Sequence, residues 1–278
     1  MFELFLQNLA AQDAVLVTVH SARGSAPREA GAWMGVFADQ IVGTVGGGQL
    51  EWQAIHAARQ QLQSGAPTQQ RRYPLGPTLG QCCGGEMTLL FERVSAADAS
   101  ALAQRLAAQQ ASWPLVALFG GGHVGRSLMA VLQTLPLRLH WIDSRDEIFP
   151  PDVPAQVLCE HSQPVQAAVA DLAPGALVVI MSFSHAEDLD LVAACLQRQR
   201  QQADLPFIGL IGSRTKWASF SHRLSARGFA PQELAQVSCP IGVPGIVGKE
   251  PAVIAVAVAA QLLQVIGQTS SGREMIKG

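Results

Sequence analysis

Two sets of residues in this sequence are spaced for chemistry: glycines that free backbone amides, and cysteines set side by side. Gly120, Gly122 and Gly125 make a G-x-G-x-x-G run directly after the apolar stretch Leu115–Phe119, and a helical spacing follows (Leu128, Val131, Leu132, Leu135). At a strand-to-helix turn these glycines give a tight turn, close approach of backbone to a pyrophosphate, and close packing of helix on sheet. A second strand over 137–142 ends on Asp143, eighteen positions after Gly125. An acid there is expected to hold a ribose hydroxyl pair. The competing reading is that the glycines only let a helix cross a strand closely.

Gly46-Gly47-Gly48 also separates a β-type run from a helical one, and backbone amides at a helix start suit a phosphate monoester. A plain sharp turn would use the same glycines. Cys82 and Cys83 are adjacent and bounded by glycines. Side by side they make a poor half of a zinc site, which wants C-x-x-C. They read either as a vicinal disulfide or inert thiol pair, or as thiols offered to a soft metal or sulfur-rich ligand.

The elements that must position these groups follow from periodicity. A short amphipathic helix (Phe2, Phe5, Leu6, Leu9) precedes a β-branched strand at 14–20, then a loop at 23–31 carrying Arg23, Ser25 and Arg28. A hairpin over 32–45 turns at Ala38-Asp39. A helix runs from Leu50 to Ser64, an irregular loop covers 74–85, and a strand covers 86–92. Residues 94–113 read as a connector helix, which places a domain boundary near residue 110 and gives an N-terminal α+β domain (1–110) and a second domain (111–278).

In the second half, β-rich runs beginning near 115, 137, 155, 176 and 206 alternate with helical patterns, which predicts a doubly wound, Rossmann-like parallel sheet with helices on both faces. Gly120–Gly125, Asp143, the segment 182–188 and the segment 212–216 each follow a strand's carboxyl end, the edge where such sheets bind ligands. His185 with Asp188 is the best acid–base candidate, and Ser213, Arg214 and Lys216 are polar candidates at the same edge. Ser184 and Ser213 would equally serve as helix caps. Cys239 is either a packed thiol or a third sulfur facing this cleft. A final apolar helix begins at Pro251 and is expected to stop at Gly267.

Composition narrows the classes. The chain has 278 residues, 49% apolar and 14% charged, with net charge −2, enough for a sizeable core and without the basic excess of a nucleic-acid binder. Five cysteines do not make a disulfide scaffold in a chain of this size. The most apolar segment, 252–266, falls short of the about twenty residues a bilayer span needs. The expectation is a cytoplasmic protein with reduced thiols, bound to neither nucleic acid nor membrane.

Gly24–Gly31 (Gly-Ser-Ala-Pro-Arg-Glu-Ala-Gly), Gly46–Glu51, Leu79–Gly85 (Leu-Gly-Gln-Cys-Cys-Gly-Gly), the 120–125 glycines, Gly212–Trp217 and Cys239–Ile246 together resemble the XdhC/CoxI family of xanthine dehydrogenase accessory proteins. The resemblance implies a dimeric chaperone rather than a turnover enzyme. Such a protein binds molybdenum cofactor (molybdopterin), favours its sulfurated form, and passes it to the molybdenum subunit of an apo xanthine dehydrogenase, alongside a cysteine desulfurase. It casts Arg28 with Gly46, Gly47 and Gly48 as phosphate contacts, Gln81 as a pterin contact, and Cys82 and Cys83 as groups that approach the metal. The sequence departs from the family where many relatives carry Thr-His-x-His-x-x-Asp: Ser182 and Phe183 stand in the first two places, with His185 and Asp188 kept. The alternative is an NAD-dependent oxidoreductase with an unusual substrate domain, in which Asp143 would favour NAD over NADP. A third is a sulfur-handling enzyme using Cys82 or Cys239.

Overall fold

A computed structural model describes residues 1–76 and 84–275, with side chains through residue 269. The chain forms two compact units, Met1–Ala107 and Ala108–Gly278.

The first unit contains α1 (Phe2–Leu9), β1 (Ala14–Arg23), β2 (Trp33–Val36), β3 (Ile41–Gly43), α2 (Gly48–Ser64), β4 (Gln69–Pro74), β5 (Glu86–Val94) and most of α3 (Ala99–Ala111). Its five strands pair antiparallel in the order β3-β2-β1-β5-β4. Strand alternation explains the layers. Val15, Val17 and Val19 of β1 face Leu50, Ala54 and Ala58 of α2, while Ala14 and Leu16 face Phe5 and Leu9 of α1. The central strand is therefore buried on both faces. Gly35 is small because the Phe5 ring lies over it, where a Cβ would collide. The hairpin closes with Phe37 N–H donating to the Gln40 carbonyl at 2.9 Å.

The second unit contains β6 (Leu115–Phe119), α4 (His123–Leu132), β7 (Arg138–Asp143), β8 (Val157–His161), β9 (Leu177–Ile180), α5 (His185–Gln202), β10 (Phe207–Leu210), α6 (Arg214–Ala226), α7 (Pro231–Leu234), β11 (Val237–Ser238) and α8 (Pro251–Met275). Its six strands are all parallel, in the order β11-β10-β9-β6-β7-β8. The order reverses between β6 and β9, the switch point of a doubly wound sheet. Ala117 and Phe119 of β6 pack toward α5 and α6, and Val116 and Leu118 toward α4 and α8.

Two expectations fail here. Gly267 does not end the last helix: α8 runs on to Met275. A single helix-interior glycine costs only about 1 kcal/mol, too little to stop a helix anchored through Ala255, Val258, Ala259 and Leu262. The apolar part of α8, Pro251–Thr269, is nineteen residues, longer than the sequence pattern suggested, and one face of it packs into the core against α4. The strand β4 was also not expected. Its sequence, Gln-Gln-Arg-Arg-Tyr-Pro, buries only Tyr73 and carries little apolar alternation.

Arg198 ties this unit together from within. Its guanidinium donates to both Asp204 oxygens (3.0 and 2.6 Å) and to the Val169 carbonyl (2.7 Å), and it is 6% exposed. The Arg198 hydrogen bond holds the Asp204 carboxyl below the usual range. Because that folded value lies under the unfolded value of about 3.9, the pair's stabilisation is complete above about pH 4 and is lost as pH falls through the folded value. Arg198→Met leaves the partly exposed Asp204 carboxylate without its partner and should cost about 1–3 kcal/mol, a drop in Tm of roughly 5 °C. Thermal melts at pH 7 and pH 3 check this, with the gap from wild type shrinking at the lower pH.

Candidate functional site

In the first unit, loops distant in sequence meet at one junction. A Cβ on Gly46 would lie 2.6 Å from Pro27 Cγ, and one on Gly85 would collide with the carbonyl of Ser25 and come within 2.6 Å of that of Arg23. Leu75 N–H donates to the Gly85 carbonyl at 2.8 Å, closing the loop at its base. The 24–31 loop, the glycine turn before α2 and the end of the 79–85 motif are thus one local structure. Arg28 stands exposed there, with no acid or hydrogen-bond acceptor holding it among the described residues. Gln81, Cys82 and Cys83 lie outside the described residues.

Two of the three amides expected to cradle a phosphate at Gly46–Gly48, those of Gly46 and Gly47, are already bonded within the chain. Glu51 Oε2 accepts from the amides of Val45 (3.0 Å) and Gly47 (3.1 Å) and from the Thr44 hydroxyl, while the Gly46 amide donates to Thr44 Oγ1 at 3.1 Å. The reason is general: a helix start leaves amides unpaired, and a carboxylate in the first turn folds back to satisfy them. Gly48 opens α2 with φ +64.

The glycine turn of the second unit is pinned from both neighbouring strands. The Gly120 amide donates to the Ile142 carbonyl at 2.8 Å, and Trp141 Nε1–H donates to the Gly120 carbonyl at 3.0 Å. Gly120, at φ +127, presses its Cα on the Met181 carbonyl, and a Cβ on Gly125 would collide with the Gly120 carbonyl. These two glycines serve packing. Gly122 differs: it has an ordinary φ of −69 and nothing within 4 Å of the place a Cβ would occupy.

Asp143 does not offer the ribose contact. A carboxylate has about four lone-pair positions, and here each has a donor. Oδ1 accepts from Arg145 N and Nε, both at 2.9 Å, and Oδ2 from Gly121 N at 2.6 Å and Arg145 Nη2 at 2.8 Å. The side chain is 1% exposed. Burial alone would raise its pKa, yet Arg145 and the two amides hold the carboxyl below the usual range. Two further contacts span the width of β6, which lies between the strands they follow. The Arg145 guanidinium sits over the Phe183 ring at 4.7 Å, and the Ser144 hydroxyl donates to Glu187 at 2.7 Å. A dinucleotide would have to expel Arg145 and strand a buried charge, so the residues present do not fit the ribose of NAD in this structure.

The remaining edge residues form a second cluster, arranged differently from the acid–base pairing expected. Asp188 is 3% exposed and gives one oxygen to Lys216 Nζ (2.6 Å) and the other to the Ser182 amide and hydroxyl (2.9 and 2.7 Å). His185 is exposed and lies edge-on to Phe220 at 6.3 Å. The contacts of the two residues are thus to different partners. Ser184 and Ser213 cap α5 and α6, accepting from Glu187 N (3.2 Å) and Lys216 N (3.1 Å). Arg214 is exposed. Cys239 is half-buried beside Gly212 and Lys216. Burial pushes its thiol up, and Asp188 adds to this against the pull of Lys216, so it is protonated near neutral pH. A protonated thiol is a poor metal ligand or nucleophile. Among the described residues no group of three His, Cys, Asp or Glu side chains is set to hold a metal.

Sequence reasoning passed over Thr44, Glu51, Arg145 and Glu187. Glu51 was findable, since an acid in the first turn of a helix, three positions after Gly48, is favoured beside unpaired amides. Arg145 was legible only as a base two residues beyond Asp143.

The glycines separate by experiment. Gly125→Ala should lower stability by about 1–3 kcal/mol, whereas Gly122→Ala should leave the thermal melt unchanged. In titration calorimetry, NAD up to about 1 mM should give no saturable heat; a saturable signal would mean that Arg145 leaves Asp143.

Comparison with known proteins agrees with this architecture. A model described as the XdhC Rossmann domain matches residues 116–262, and one described as the XdhC and CoxI family matches residues 9–74. YqeB of Escherichia coli K12, described as uncharacterized, is 28% identical over 267 residues, covering 94% of this chain and 45% of YqeB. The chain thus spans somewhat under half the length of that relative. The crystal structure of a Bacillus halodurans protein described as a xanthine dehydrogenase shares the fold, with a TM-score of 0.74 at 19% identity and 95% of each chain covered. With a little over half of its length matched by one of that family's domains, the chain belongs to the XdhC family.

Proposed function

We propose that this chain serves the maturation of a xanthine dehydrogenase-type molybdoenzyme, binding sulfurated molybdenum cofactor as cargo and delivering it to the apo-enzyme. Family membership supports the role, and the Bacillus halodurans relative carries the dehydrogenase's name. The observation that carries the cargo reading is the junction in the first unit, where the 24–31 loop, Gly46 and Gly85 pack together at the base of the segment that contains Gln81, Cys82 and Cys83. In this reading Arg28, exposed and unpaired among the described residues, takes the terminal phosphate through charge-assisted hydrogen bonds. The Gly46 and Gly47 amides do not, because Glu51 and Thr44 hold them. Gln81 meets the pterin edge, and Cys82 and Cys83 approach the metal as soft ligands. The protein acts in the cytoplasm as a homodimer, with the apo-dehydrogenase and a cysteine desulfurase as partners.

The oxidoreductase alternative needs a ribose-binding acid and a proton relay. The filled lone pairs of Asp143, and the engagement of Asp188 by Lys216 and Ser182, both weigh against it.

A transfer assay tests the proposal. Protein loaded in a cofactor-producing host is mixed with apo-dehydrogenase, and regained hydroxylase activity is followed. Wild type should activate. Arg28→Ala should retain cofactor about tenfold more weakly, the scale of one lost charged hydrogen bond, and Cys82→Ala with Cys83→Ala should abolish transfer. Full activation by all these variants would remove the assigned roles.

A further inference from the structure

A second site lies on the first unit, on the polar side of α2. Trp52 is 62% exposed, and its indole is parallel to the His56 ring, with centroids 5.9 Å apart and planes 5° apart. An exposed indole offers a flat apolar surface on which another ring can stack. Beside them runs β4, which among the described residues pairs with β5 alone and forms one edge of the sheet. Alternation sends Arg71 and Tyr73 to the face that α2 covers. Trp52, His56, Gln60, Arg71, Arg72 and Tyr73 line a surface cavity of about 510 Å³ between helix and strand. That volume lies within the range of small-molecule sites.

The charges of this groove are unbalanced. Arg72 is neutralised by Glu86. Arg71 is not: it contacts the Gln69 amide oxygen at 3.3 Å, the Phe91 ring at 5.6 Å, and the Tyr73 hydroxyl, and no carboxylate pairs with it among the described residues. Arg59, three positions after His56 and so beside it on the helix, has a buried Nε without a hydrogen-bond partner among the described residues. Half-buried guanidinium groups normally find an acid. Arg71 instead lines the groove together with the Trp52–His56 pair, whose indole is largely exposed.

We propose that this groove binds a planar heteroaromatic anion, a fused-ring base carrying a phosphate or carboxylate. The ring lies on the Trp52 indole and the anion is taken by the planar fork of Arg71. Stacking supplies affinity that tolerates variation of the ring, and the guanidinium supplies the requirement for an oxyanion. The site does not rest on the cargo reading, since none of its residues belongs to the motif junction at Arg28 and Gly46.

Titration of purified protein, followed by tryptophan fluorescence and calorimetry, tests it with GMP and 6-carboxypterin as probes. At least one should bind with Kd below about 1 mM and quench fluorescence. Which of the two binds more tightly identifies the ring system. Guanosine and inorganic phosphate should each bind at least about tenfold more weakly. Trp52→Leu and Arg71→Gln should each weaken the anion about tenfold or more, and Trp52→Leu should leave the thermal melt unchanged because the side chain is exposed. No binding of either probe by about 1 mM, equal affinity for guanosine, or binding indifferent to both substitutions would overturn the proposal. Because no dehydrogenase is present, that result would leave the cargo reading untouched.

Discussion

Backbone amides at a glycine turn demand an anion, and in both units of this protein the chain supplies its own. Glu51 closes over Val45 and Gly47 at the start of α2, and Asp143 reaches from the end of β7 to the Gly121 amide. An amide left unanswered away from water costs about 1–3 kcal/mol, so a fold that brings glycine turns against packed strands gains by building the acid in. The consequence is that neither turn waits for a ligand to complete it. In the proposed function, recognition falls to side chains that the fold leaves unpaired among the described residues, with Arg28 the clearest case in the motif junction.

Asp143 shows how one neighbour changes the meaning of an acid placed at the end of a sheet's second strand. The sheet order, the glycine run and the acid at the second strand's end are those of a dinucleotide site. Arg145 turns that acid inward, neutralises it, and stacks on Phe183 across the switch point. What remains is a rigid α/β body with the Gly122 position open and the ribose position occupied by the protein itself. Function does not follow from the fold here.

Much of this was legible along the chain. Strand starts in the second unit, the hairpin at Ala38-Asp39, the serine caps at 184 and 213 and the amphipathic N-terminal helix all follow from local periodicity and capping chemistry. Other features depend on contacts made across long sequence separations. Nothing local distinguishes Gly122, which touches nothing, from Gly125, which lies on the Gly120 carbonyl. Nor does Asp143 announce that a guanidinium two residues on and an amide twenty-two residues back will saturate it. The strand β4 escaped for a related reason: an edge strand buries little, so Gln-Gln-Arg-Arg carries no alternating apolar signal, and the groove it forms with Trp52 and His56 escaped with it. The length of α8 is set by packing on α4, against which one glycine weighs little.

In the proposed function, this chain carries molybdenum cofactor on side chains rather than on its glycine turns. The most direct measurement is molybdenum and oxidised-pterin analysis of the wild-type protein, purified from a host that makes the cofactor. Co-purification of both in equal amounts is the expected result. Protein free of both, while the host's own molybdoenzymes are fully loaded, would contradict the account.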